Sequence, residues 1–124
     1  MNADFGKWQT VRSLSTQAAQ GTSAPSAGAF VSIALAPTPR VEIRVRGASL
    51  VGSPGSVTLG IWRLSDGSVD KLGTMTIAAG DIATPIPSIF ECYDPAVYVT
   101  VESFSGGTVP TMSGTIEARA VSGG

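Results

Sequence analysis

The chain predicts an all-β fold: a single β-sandwich or jelly-roll-like domain of about seven or eight mainly antiparallel strands, with an extended N-terminal arm. Three observations point there. Val41-Glu42-Ile43-Arg44-Val45-Arg46-Gly47 alternates apolar and charged residues and ends in a glycine. Successive strand side chains point to opposite faces, so this pattern puts one face in a core and the other in water. The same grammar returns in Val97-Tyr98-Val99-Thr100-Val101-Glu102 and in Thr115-Ile116-Glu117-Ala118-Arg119-Ala120-Val121. Finally, no stretch sustains a helical period with caps, while Gly and Pro punctuate the chain throughout.

The elements follow in order. Residues 1–28 are read as an N-terminal arm and low-complexity linker, and residues 29–124 as the sandwich. The arm opens with Phe5, Lys7 and Trp8, passes a candidate first strand at 9–14, and dissolves into small polar residues, Gly and Pro up to Gly28. Strands are then expected at 29–36, 41–47, 56–64, 69–77, 86–92, 97–103 and 113–121. Asp66-Gly67 between two of these patterns supplies the positive φ values of a tight hairpin turn, and Ser105-Gly106-Gly107-Thr108 plays the same part before the last strand. Pro37, Pro39, Pro85 and Pro87 lack a ladder donor, so they belong at strand beginnings or sheet edges.

Composition narrows the function. At 124 residues and 43% apolar content the chain can build one domain with a two-layer core. Its charged fraction of 14% lies well below the roughly 25% of ordinary soluble domains. A charge-poor exterior suits a surface that partners cover. The net charge of −1 offers no field to nucleic acid or an anionic membrane, so neither is expected as a partner. Cys92 is the only cysteine, which excludes an intrachain disulfide and a cysteine metal cluster. The N-terminus lacks the basic and apolar regions of a signal peptide, and the apolar stretch 27–37 is too short to span a bilayer. Synthesis and folding in a reducing cytoplasm are expected, without secretion through a signal peptide.

Chemistry is scarce. With no histidine, the chain lacks the commonest general base and metal ligand, and cannot build a Ser-His-Asp or Cys-His constellation by itself. No cofactor, metal or catalytic residue is expected. Asp81, Glu91 and Asp94 are the formal candidates for paired-carboxylate hydrolysis, but they read as solvated loop-end groups. Asp66-Gly67-Ser68-Val69-Asp70 echoes the start of a calcium loop, yet Lys71 stands where glycine is needed and Ile77 where the bidentate acid belongs. A hairpin turn explains it better.

What remains points to contacts. Arg40, Arg44 and Arg46 form the one concentrated basic feature, either a solvated face with local ion pairing or a strip against an acidic partner. Tyr98 shares parity with Thr100 and Glu102, facing outward or into an interface. Trp62 reads as a ring on a half-buried face rather than a sugar-stacking platform. Phe5 and Trp8 precede the dense strand pattern. Trp8 to Leu14 has two readings: an arm anchored in a neighbour's groove, or the first strand with Trp8 capping the core. The arm reading predicts that deleting residues 1–14 leaves the sandwich folded but weakens assembly.

The texture of residues 41–47, of Thr58-Leu59-Gly60-Ile61-Trp62-Arg63 and of Tyr98 to Thr108 resembles small structural proteins of tailed bacteriophages, including the capsid decoration (cement) proteins. The resemblance covers roughly residues 29–121 and is one of style, with no signature residue to carry over. It implies a non-enzymatic sandwich, assembled in the host cytoplasm, that oligomerises, often as a trimer, and reinforces a capsid lattice. The implied partners are further copies of the chain and the major capsid protein or other virion proteins. The N-terminal arm would be the lattice contact. The alternative is a carbohydrate- or receptor-binding module of a phage tail or fibre, which requires Trp62 and Tyr98 exposed together beside a polar groove.

Overall fold

A computed structural model of the chain describes residues 7–32, 40–92 and 96–121. Within them lie eight strands: β1 (Gln9–Gln17), β2 (Val31–Ser32), β3 (Arg40–Val51), β4 (Ser56–Ser65), β5 (Ser68–Ala78), β6 (Ser88–Glu91), β7 (Ala96–Ser105) and β8 (Thr111–Ala120). Two short 3₁₀ turns, Ala27–Ala29 and Ala79–Asp81, are the only helical pieces among the described residues. The strands form two antiparallel four-stranded sheets, ordered β1-β8-β3-β6 (the first sheet) and β2-β7-β4-β5 (the second). β1 pairs with β8, β2 with β7, β3 with β6 and β4 with β5, as if one long hairpin had been rolled up. That is the strand order of a jelly roll. The tip of the roll is Asp66-Gly67, with φ of +49° and +80°, the two positive values that the Asp-Gly pair predicts.

Alternation builds the core. Val41, Ile43 and Val45 of β3 and Met112, Ile116 and Ala118 of β8 point inward from the first sheet. Val57, Leu59 and Ile61 of β4, Val97, Val99 and Val101 of β7, and Met75 and Ile77 of β5 meet them from the second. Each large apolar side chain buried in this way contributes about 1.5–3 kcal/mol. The intervening residues face water or lie on the two outer faces.

The structure redraws three boundaries. Gly47 does not close its strand; at φ +60° it lies in a bulge where the register shifts between Arg46 and Ser49, and β3 runs on to Val51. The strand expected at 86–92 shortens to β6, because Pro87 has no N–H for the ladder. Of the strand expected at 29–36, Val31–Ser32 is described, and residues 33–36 lie outside the described residues.

The N-terminal region brings a larger correction. Gln9–Gln17 is an edge strand paired with β8, and its Val11 and Leu14 are core residues at 4% and 6% exposure. Residues 9–17 therefore belong to the sandwich, and a first strand replaces the anchored-arm reading; Trp8, however, precedes the strand and lies over Arg44 and Arg119 instead of capping the core. Residues 1–6, Phe5 among them, lie outside the described residues.

The linker has work as well. Gln20 N–H donates to Val101 O at 2.6 Å, Gly21 N–H to Glu102 O at 3.0 Å, and Val101 N–H to Gln20 Oε1 at 3.0 Å. Two linker residues thus cover the flank of β7 beyond the end of β2, a backbone edge that would otherwise invite pairing. Arg12 closes the same side of the sandwich. Its Nη1 donates to Val99 O at 2.9 Å and to Gln20 Oε1 at 2.7 Å, and its Nη2 to Gln17 Oε1 at 2.9 Å.

Candidate functional site

The outer face of the first sheet gathers most of the residues that the sequence singles out. Antiparallel register sets Glu42 opposite Arg119, Arg44 opposite Glu117, Arg46 opposite Thr115 and Arg40 opposite Glu91. Two of these couples close as ion pairs: Arg44 Nε to Glu117 Oε1 and Arg119 Nε to Glu42 Oε1, both at 2.7 Å. The cations stand on different strands, so a ring can lie across both. Trp8 does this, its centroid 3.9 Å from the Arg44 guanidinium carbon and 4.5 Å from that of Arg119. Trp8 directly precedes Gln9, the first residue of the β1–β8 ladder, and this attachment holds the ring over the face.

The energetics mark this as a surface device rather than a stabilising core. Partly exposed ion pairs contribute at most about 1 kcal/mol, and a cation–π contact near water about 0.5–1 kcal/mol. What the lattice supplies is order: long arginine side chains are held in fixed positions on a stiff sheet. Arg46, one step further along β3, is exposed and has no ion pair among the described residues. It borders a shallow depression lined by Gly47, Thr115 and Glu117. Ile89, opposite Glu42 and 55% exposed, adds an apolar neighbour.

Trp8, Arg44 and Arg46 are therefore brought together, with Arg40 further along the same face. Tyr98 is not among them. It lies half-buried on β7 of the second sheet, with its ring 5.9 Å from that of Phe30 and 5.0 Å from the Arg12 guanidinium carbon. There it belongs to the Arg12 clamp that closes one side of the sandwich. Arg119 and Glu117 complete the lattice, and sequence reasoning missed them. Their signal was the alternation in residues 115–121; what it lacked was the pairing of β8 with β3.

The second sheet's outer face is built differently. Trp62 is 5% exposed, and its Nε1–H donates to Thr100 Oγ1 at 3.0 Å. Beside it Lys71 of β5 meets the buried Glu102 carboxylate of β7 in an ion pair that spans β4. Gly60 makes room for this span: a Cβ there would come within 2.5 Å of Glu102 Oε2, 2.9 Å of Thr100 Oγ1 and 3.0 Å of Trp62 Nε1. Trp62 is more deeply buried than the half-buried position expected from sequence. A covered ring has no open face on which a sugar could stack.

The remaining candidates carry no chemistry together. Asp81 and Glu91 are exposed on separate elements, and Asp94 lies outside the described residues. The calcium-like stretch is the β4–β5 turn, where Asp70 pairs with Arg63 at 3.4 Å. No group of three or more potential metal ligands occurs among the described residues.

Fold and site define an all-β jelly-roll sandwich that carries a cation–aromatic lattice on the outer face of one sheet. No protein-family model matches the chain, and neither the curated proteins nor the solved structures contain a match to it.

Proposed function

We propose that the protein is a non-enzymatic virion structural protein of a tailed phage, of the capsid decoration type, that docks on a neighbouring virion protein through the outer face of its first sheet. The observation that carries this reading is the Trp8 lattice. An aromatic ring laid across Arg44 and Arg119, with Arg46, which has no ion pair among the described residues, alongside, forms a flat contact surface. Trp and Arg are the residue types that most often dominate binding energy at interfaces. The face fits a carboxylate-bearing protein surface, such as one offered by a major capsid protein. Jelly rolls serve both capsid and lectin domains, so fold alone supports neither. Covered Trp62 weighs against stacked sugar, which leaves the structural reading ahead.

The test is to purify particles from the phage that encodes the chain and look for it by protein mass spectrometry and immunogold labelling. The proposal expects many copies per particle, released by high salt as arginine contacts are screened. Absence of the protein from purified particles would refute it.

A further inference from the structure

The few charges of this chain are unevenly placed. Residues 47–61 and 103–116 contain none, and together they supply the loops at the end of the sandwich opposite the Asp66-Gly67 turn. Asp81, in the 3₁₀ turn after β5, is the one charged residue described near that end. Two large apolar side chains stand out there, Val51 at 57% and Val109 at 83% exposure.

The backbone beneath them is tightly locked. Thr108 N–H donates to Gly52 O at 2.8 Å, Gly55 N–H to Ser105 O at 2.7 Å, and Ala79 N–H to Gly55 O at 2.9 Å. Gly52, at φ +89°, lies so close to the partner loop that a Cβ would fall 2.4 Å from Thr108 O. Val109 itself sits at φ +45°, a left-handed conformation that a β-branched residue adopts only under strain. Glycine would fit that backbone without steric strain, and the exposed valine side chain stabilises no core. The chain keeps an apolar side chain where the backbone favours none.

We propose that this charge-free loop end is a self-association surface, on which Val109 and Val51 of one copy pack against the same loops of a second copy of this chain. Charge selects the occupant. Two copies meeting here desolvate almost no ion, as suits the core of an interface, whereas a charged partner would lose hydration for nothing. Meeting through the opposite end would bring the exposed Asp66 and Asp70 of each copy together. The locked loops also spare the ordering entropy that flexible contacts lose on binding. The inference gives the assembly reading a homotypic surface and rests on that reading only for its purpose.

Sedimentation equilibrium across micromolar to millimolar concentrations tests it on wild type, Val109→Gly, Val109→Asp and Trp8→Ala/Arg46→Glu. Wild type and the Trp8/Arg46 variant should dimerise alike, while both Val109 variants associate at least about tenfold more weakly. Val109→Gly should also raise the thermal midpoint of the dilute monomer by about 2 °C, because the strained residue is gone. A wild type that stays monomeric at every concentration, or Val109 variants that dimerise as tightly as wild type, would overturn the inference. Loss of dimerisation in the Trp8/Arg46 variant would move self-association to the first sheet's face and would equally overturn it.

Discussion

The two tryptophans make the most instructive contrast in the molecule. Both lie on an outer sheet face and both neighbour cations: Trp8 with Arg44 and Arg119, Trp62 with Lys71 at 5.6 Å from its centroid. Yet Trp62 is sealed, while Trp8 is half-buried. The difference lies in the neighbouring strand positions. Around Trp62, Gly60 leaves a notch in which Thr100 and the Glu102–Lys71 pair close down. Around Trp8 stand the cross-strand couples Glu42–Arg119 and Arg44–Glu117, and long charged side chains lift a ring rather than enclose it. One face is therefore part of the fold; the other is available to a partner.

Truncation separates the two most sharply. Deleting residues 1–14 removes Trp8 together with Val11 and Leu14, and should cost about 4 kcal/mol or more, enough to unfold a marginally stable domain. Deleting residues 1–8 removes Trp8 but spares β1, and should leave a cooperative thermal transition. Circular dichroism melts of the two truncations distinguish them, and equal stability would show that β1 is dispensable.

On the second sheet, Trp62→Ala should destabilise by about 3 kcal/mol in urea unfolding, because it empties a sealed site and leaves Thr100 without its donor. Gly60→Ala should cost about 2 kcal/mol, since the added methyl meets Glu102, Thr100 and Trp62 at once. If Gly60→Ala proved neutral, the notch would not be what seals Trp62. On the first sheet, Trp8→Ala should cost less than about 1 kcal/mol and Arg46→Glu less than about 0.5 kcal/mol in the same measurement.

The alternation made the fold class and most core positions legible, and Asp66-Gly67 marked the tip of the roll. Alternation states which residues share a face; it does not state which strand lies alongside. The β3–β8 pairing that brings Glu117 and Arg119 to Arg44 and Glu42 joins residues more than seventy positions apart. The same gap hid the opposite fates of the tryptophans, since the span that covers Trp62 comes from β5 and β7. The linker misled for another reason. Its residues bury little, but backbone groups of Gln20 and Gly21 can cover a sheet edge without any apolar pattern.

Particle occupancy of Trp8→Ala/Arg46→Glu against wild type is the most direct test of the central claim, measured on purified virions alongside the thermal midpoint of each protein. Occupancy of the variant should fall at least about tenfold at a midpoint within about 3 °C of wild type. Undiminished occupancy at the same midpoint would contradict it, and the first sheet's outer face would not be where the protein docks.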